Sequence, residues 1–283
     1  MSINASESAV RMAQNFERVG LKGGGITPTP AIAGCRVVFS ANEAIDVVVT
    51  HLKADAESVR ESVALLSDVE RQRASRFAFD RDRNQFIIAR ARLRQLLAAR
   101  LEVRPESVEL MYGARGKPAL ARRFSRSGLR FNISHSNDVA VYAFAVGREI
   151  GIDVEAVRVI KYADSIAARL FSQFESNAYL ALDPEEKPLG FFNCWTRKEA
   201  FIKALGEGLY YPLDRFDVSL APGDPVNILR VEDKRGNDCG WHLDAFCPAP
   251  GYVAAIVTEI PERPANVAVV WPTPAISSGQ CLA

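Results

Sequence analysis

Residues 129–155, LRFNISHSNDVAVYAFAVGREIGIDVE, decide the fold. Leu129 to Ser134, Val139 to Val146 and Gly151 to Glu155 read as three strands, with Gly147 supplying a turn between the second and third. In the first strand Phe131 and Ile133 are expected to point inward, and regular structure breaks at Ser134-His135-Ser136. In the third, Ile152 and Val154 share one face. Asp153 and Glu155 lie side by side on the other, because successive strand side chains point to opposite faces.

Upstream of these strands, Asp82 to Leu101 reads as a helix. Phe86, Ile87, Leu93, Leu96, Leu97 and Leu101 recur at helical spacing, and Arg83, Arg90, Arg92 and Arg94 fill the remaining surface. Ser67 followed by Glu70 has the form of a capping box for a helix starting near Asp68. Earlier still, Val37-Val38-Phe39 and Ile45 to Val49 read as strands. Downstream, a helical stretch near Tyr162 to Leu182 leads to another at Phe191 to Leu205 that Gly206 ends. Residues 216–270 alternate β-like runs with Gly, Pro and Asp breaks. This order of strands, helices, strands, helices, strands predicts an α+β fold. It also hints at two similar α/β halves, although no letter-by-letter repeat is evident. Residues 1–34, with Gly23-Gly24-Gly25 and a Thr-Pro-Thr-Pro run, are expected to be a disordered leader. Residues 35–150 and 151–271 are the expected halves, and 272–283 a tail.

The chain has 283 residues, 48% hydrophobic and 24% charged, with 35 Lys and Arg against 34 Asp and Glu. This is ordinary globular composition and excludes a strongly basic nucleic-acid binder. The charge is uneven, however: residues 71–130 hold about 16 Lys and Arg against about 5 Asp and Glu. Such asymmetry suits a polyanionic ligand on the basic side and a cation on the acidic side; an arginine-rich solvated helix face is the competing reading. Five cysteines at scattered spacings (Cys35, Cys194, Cys239, Cys247 and Cys281) give neither a disulfide framework nor a zinc pattern. The three histidines are too dispersed to form a metal cluster. No apolar run approaches a membrane span, and no signal-peptide order is read at the N-terminus, so a cytoplasmic location is expected.

Four constellations carry chemistry. Asp153 and Glu155 would repel each other unless a cation sat between them, and carboxylate oxygens completed by water and phosphate are what Mg²⁺ prefers. Two solvated acids on an exposed strand are the alternative. In Trp195-Thr196-Arg197-Lys198-Glu199-Ala200-Phe201-Ile202-Lys203, Glu199 and Lys203 sit four apart at the edge of an apolar stripe made by Trp195, Ile202 and Leu205. They form either a half-buried catalytic pair or a surface pair worth a few tenths of a kcal/mol. Ser134-His135-Ser136 at a strand end offers hydroxyls, N–H groups and an imidazole, either to a phosphate or merely to a capped turn. In Arg115-Gly116-Lys117-Pro118 the glycine tightens the turn and the proline stiffens it, so the lysine is held in place.

Read in order, these pieces resemble the Sfp-type phosphopantetheinyl transferases. The family pattern is a basic helical segment, a GKP loop, F-N-x-S-H-S, G-[IV]-D-[IV]-E and W-[ST]-x-K-E-[AS]-x-x-K. It falls here on Arg73 to Arg90, Gly116-Lys117-Pro118, Phe131 to Ser136, Gly151 to Glu155 and Trp195 to Lys203. Phe171-Ser172 with Glu175 resembles a further family step. The resemblance covers about residues 36 to 260. It implies two halves related by a pseudo-twofold, with the active site between them, and transfer of 4'-phosphopantetheine from coenzyme A to a serine of an apo-carrier protein with release of 3',5'-ADP. Mg²⁺ is the implied cofactor and coenzyme A the co-substrate; an acyl, peptidyl or aryl carrier is the partner. Neither nucleic acid nor membrane is expected as a partner, and the chain is expected to be a monomer.

By the same resemblance, Asp153, Glu155 and Glu199 would contact the metal, and Glu199 would take the serine proton. Lys203 would touch the diphosphate and leaving group, and Ser134 and His135 the phosphates. Lys117 and the neighbouring Arg115 and Pro118 would lie near the adenine and 3'-phosphate, and Arg73 at the 3'-phosphate. A second basic position of the family reads Glu70 here, with Arg71 beside it. Phe86 stands where some members have a polar phosphate contact, which leaves Arg76 and Arg90 as substitutes. The rival expectation is a non-catalytic nucleotide- or nucleic-acid-binding module using the arginines of residues 71–130; it gives the three acids no role.

Overall fold

The computed structural model describes residues 34–37, 45–113, 116–206, 211–231 and 240–260. The expected leader (apart from Gly34), the tail, Val38-Phe39 and Arg115 lie outside these residues.

Two antiparallel sheets form the centre. The first has the order β1-β2-β6-β5, from β1 (Gly34–Val37), β2 (Ile45–His51), β5 (Leu129–Ser136) and β6 (Val139–Val146). The second has the order β10-β11-β7, from β7 (Ile150–Ala156), β10 (Trp241–Phe246) and β11 (Tyr252–Glu259). In each sheet an early strand (β2 or β7) is followed by a helical excursion. A hairpin then returns (β5–β6 or β10–β11), and its last strand lies in the middle. Two small hairpins, β3 (Leu110–Tyr112) with β4 (Pro118–Leu120) and β8 (Phe216–Val218) with β9 (Ile228–Val231), lie outside these sheets. Helices and antiparallel sheets together make an α+β protein, as the element order predicted.

Two apolar clusters explain why β2 and β6 read as nearly unbroken hydrophobic runs: both of their faces are covered. On one face Val48, Ala140, Tyr142 and Phe144 pack against Ile88, Leu93 and Leu97 of α3 (Asp80–Leu101). On the other, Val47, Val49, Val141 and Ala143 meet Ile152 and Val154 of β7 and Ala254 and Ile256 of β11. Behind the second sheet, Ala255 and Val257 join Phe201 and Ala204 of α6 (Lys187–Leu205). The layers therefore run helix, sheet, sheet, helix.

The helix starts follow local chemistry. Asp55 caps α1 (Ala56–Ala64), an element that the sequence reading passed over, by accepting from the N–H of Ser58. Ser67 and Glu70 form the expected capping box of α2 (Asp68–Ala74). The helical stretch expected over 162–182 is two helices, α4 (Ala163–Leu170) and α5 (Gln173–Leu180). It breaks at Phe171-Ser172, because Ser172 and Glu175 form a second capping box that restarts the helix.

Several arginines of the basic segment are paired with acids of the chain itself, two of them in the interior. Arg94 lies 2.6 Å from Glu70 and Arg90 3.7 Å from it, all three buried. Arg71 pairs with Asp68, and Arg83 with Asp80. Glu70 is thus the counter-ion of two helix α3 arginines. Arg90, expected as a substitute phosphate contact, is turned inward beside the Phe86 ring.

Candidate functional site

The site forms where β7 passes between β5 and α6. Gly151 sets how close the helix comes: a Cβ built there would stand 2.1 Å from the Ala200 carbonyl oxygen and 2.3 Å from the Ala204 nitrogen. With Ile152 and Val154 turned into the apolar seam, Gly151, Asp153 and Glu155 take the opposite face, toward α6, as alternation requires.

β5 and β7 run side by side in the same direction, and β5 side chains make the junction. The Asn132 side-chain carbonyl accepts from the N–H of Ile152 at 2.9 Å. Ser134 donates to Asp153 Oδ1 at 2.7 Å. Ser136 donates to Glu155 Oε2 at 2.8 Å and accepts from the N–H of Ala156 at 3.2 Å. The sequence reading sent Phe131 and Ile133 inward and broke the strand at Ser134-His135-Ser136, whereas β5 continues through Ser136 because its backbone stays paired with β6 up to Val139. Phe131 is buried and Ile133 half-buried, but Asn132 and Ser134 are buried too, because the second sheet covers their face.

From α6, Lys203 places its ammonium 2.6 Å from Asp153 Oδ1 and 3.1 Å from Ser134 Oγ. Glu199 stands one turn earlier. Burial pushes its carboxyl up to about 7; Lys203 pulls it down, while Asp153 and Glu155 push it further up. Asp153, Glu155, Glu199, Lys203 and Ser134 are therefore brought into one charge cluster. Two oxygens in it, Asp153 Oδ2 and Glu199 Oε1, are buried with no hydrogen-bond partner among the described residues. As the side chains stand, no three His, Cys, Asp or Glu groups among the described residues enclose a metal position. Lys203 and Ser134 hold Asp153, and Ser136 and Arg158 hold Glu155.

The remaining expected residues are spread over three places. His135 is exposed and lines a cavity of about 240 Å³ with Arg81, Asp82, Gln85 and Asn137. Arg73 and Arg76 line another, of about 460 Å³, with Val69, Glu70, Gln72, Phe77 and Tyr112. Lys117 and Pro118 belong to the β3–β4 hairpin, and the Lys117 ammonium is turned to the carbonyl oxygens of Lys203 (2.6 Å) and Ile150 (3.3 Å).

Residues 149–257 match the model of the 4'-phosphopantetheinyl transferase superfamily, and residues 53–146 match that of the 4'-phosphopantetheinyl transferase N-terminal region. The chain is 37% identical over 198 residues to the 4'-phosphopantetheinyl transferase HetI of Nostoc sp., spanning 70% of this chain and 80% of that protein. It belongs to the 4'-phosphopantetheinyl transferases. The enzyme is also 29% identical over 208 residues to Sfp of Bacillus subtilis (74% of this chain, 88% of that one). It is 31% identical over 201 residues to the human L-aminoadipate-semialdehyde dehydrogenase-phosphopantetheinyl transferase (68% and 62%).

In this transferase the residue before the expected base is structural, which sequence reading did not show. Lys198 is fully buried 2.7 Å from Glu175, itself fully buried, and donates to the carbonyl oxygens of Leu213 and Phe216. Glu175 also accepts from the N–H groups of Ser172 and Val218. This pair ties α6 to α5 and β8 and so fixes the turn that presents Glu199. The sequence signals for it were the Ser172–Glu175 spacing and the place of Lys198 in the motif over Trp195 to Lys203, neither of which shows that the two charges meet. No helix among the described residues is long and apolar enough to cross a membrane.

Proposed function

We propose that the transferase moves 4'-phosphopantetheine from coenzyme A to a serine of an apo acyl, peptidyl or aryl carrier protein and releases 3',5'-ADP. The proposed site lies between halves divided near residue 150 and related by a pseudo-twofold. The observation that carries the reading is the pair of unpartnered buried oxygens, Asp153 Oδ2 and Glu199 Oε1, facing one cluster with Glu155 and Lys203. Carboxylates crowded in this way are costly unless a cation joins them. The donor set is all oxygen, which fits Mg²⁺, and Asp153, Glu155 and Glu199 would hold it. When bound, the metal neutralises charge that builds on the diphosphate.

The protein's own part is mostly positioning and charge. Glu199, half-buried on α6 beside Asp153 and Glu155, is placed to accept the serine hydroxyl proton. The serine oxygen forms its bond to the phosphorus nearer the pantetheine. The bond from that phosphorus to the bridging oxygen breaks, and the electron pair leaves with 3',5'-ADP. Lys203 offers an ammonium to the oxygen that gains this charge. Arg73 and Arg76, which line the larger cavity, supply cations for the 3'-phosphate, and His135 supplies a donor to the diphosphate, while Ser134, whose hydroxyl proton is given to Asp153, would have to turn from that carboxylate to reach a phosphate.

Incubation with coenzyme A, Mg²⁺ and a panel of apo-carriers tests this by mass spectrometry. A gain of one phosphopantetheine on the carrier, lost when Mg²⁺ is chelated, is expected. No gain on any carrier type would sink the reading. The burial of Arg90 and Arg94 removes two arginines from the surface that the rival nucleic-acid-binding reading needs.

A further inference from the structure

Lys117 sits in a turn with little freedom. The Gly113 N–H donates to the Lys117 carbonyl oxygen at 3.0 Å, and the Gly116 N–H to the Gly113 carbonyl oxygen at 2.9 Å. Gly116 takes a left-handed φ of 79°, which glycine adopts without a Cβ penalty. The neighbouring Pro118 pairs with Tyr112. From this fixed base the side chain reaches across to the C-terminal part of the chain, and its ammonium meets two carbonyl oxygens of different elements. One belongs to Lys203, in the last turn of α6, where helix carbonyls lack intrahelical partners; the other belongs to Ile150, the first residue of β7. Glu149 lies 3.8 Å away and shares its carboxylate with Arg130. Burial lowers the Lys117 pKa, and Glu149 opposes that shift.

The elements so joined are the two that carry the acids. Ile150 stands three residues before Asp153, and Lys203 four after Glu199. Gly151, where α6 touches β7, lies between the two ends of the clamp. We infer that Lys117 is a positioning residue: its ammonium fastens the last turn of α6 to the start of β7 and so fixes Glu199 and Lys203 against Asp153 and Glu155. The role rests on the proposed reading of this cluster as the transfer site. It differs from the expected contact with the adenine and 3'-phosphate, because the ammonium is spent on backbone acceptors of the protein itself.

Lys117→Met, which keeps length and removes the charge, is the test, with Lys117→Arg as the conservative partner. Steady-state kinetics are measured with coenzyme A and with its 3'-dephospho form. Loosening the clamp by a fraction of an ångström is expected to lower kcat by about 10- to 100-fold, with the KM for coenzyme A within about twofold of wild type. The preference for coenzyme A over the dephospho form should be unchanged, and Lys117→Arg should recover part of kcat. A higher KM with that preference lost and kcat intact would instead make Lys117 a phosphate contact and overturn the inference. Hydrogen exchange on the substrate-free protein supplies the second readout. Amides of residues 150–153 and 203–206 should exchange faster in Lys117→Met while those of β2 and β6 do not, and unchanged exchange there also overturns the clamp. That comparison holds even if the wild-type protein transfers nothing, a result that would sink the proposed function instead.

Discussion

Gly151→Ala is the smallest change that reaches the heart of the site. The added methyl would stand 2.1 Å from the Ala200 oxygen, 2.3 Å from the Ala204 nitrogen and 2.9 Å from the Lys203 carbonyl carbon, where separations under 3.0 Å are essentially never seen. All three atoms are backbone, so no rotamer change relieves the clash; β7 and α6 must part. Opening the tightest contact to 3.0 Å moves one element by close to 1 Å, the scale of misplacement that costs about 100-fold in rate when it falls between reacting groups. Overpacking of this kind also costs about 1–3 kcal/mol of stability. The assay pairs urea denaturation with single-turnover transfer, so that loss of folded protein is separated from loss of rate. The expectation is a folded variant, destabilised within that range, whose single-turnover rate has dropped by roughly two orders of magnitude. A variant with wild-type rate and wild-type midpoint would show that the β7–α6 spacing does not govern the reaction.

Two further substitutions probe charge. Glu199 is held at about 7 instead of its ordinary 4.5, so the native state binds more protons than the unfolded chain between those values, and stability falls as pH rises through the window. In metal-free protein, Glu199→Gln should remove that slope and gain on wild type from about pH 5 to about pH 8 while abolishing transfer; parallel stability curves would refute the assignment. Lys198→Met strands the Glu175 carboxylate in a fully buried site and should cost about 3–5 kcal/mol by urea titration, with Glu175→Gln added in the double variant restoring part; a loss under about 1 kcal/mol would contradict the burial of the pair.

How far the sequence could be read depended on how many faces each element covers. β7 was legible to the residue: one face enters the apolar seam and the other meets α6, so Ile152 and Val154 separate cleanly from Asp153 and Glu155. β5 was half legible. Alternation assigned Phe131 to the interior, but Asn132 and Ser134 are buried by a sheet that lies elsewhere in the chain, and polar residues give no local sign of such a cover. The Glu199–Lys203 spacing suggested a pair along one helix, whereas the Lys203 ammonium lies on Asp153, fifty residues away. Lys198 reads as one more helix-surface lysine until Glu175 is placed against it. The same holds for Glu70, which looked like a gap in a basic patch and is the ion that lets Arg90 and Arg94 lie inside. Charges that pair over long separations are invisible to periodicity; capping boxes such as Ser67–Glu70, whose partners are three residues apart, are not.

The apolar seam between the sheets ties the packing of the two layers to the site. Val47, Val49, Val141 and Ala143 offer an apolar bed that Ile152, Val154, Ala254 and Ile256, with Ile150 beside them, complete. The strand that fills this bed with Ile152 and Val154 is the one that presents Asp153 and Glu155 to α6. A substitution that disturbs the packing of Ile152 or Val154 in the seam is thus felt by the carboxylates that alternate with them.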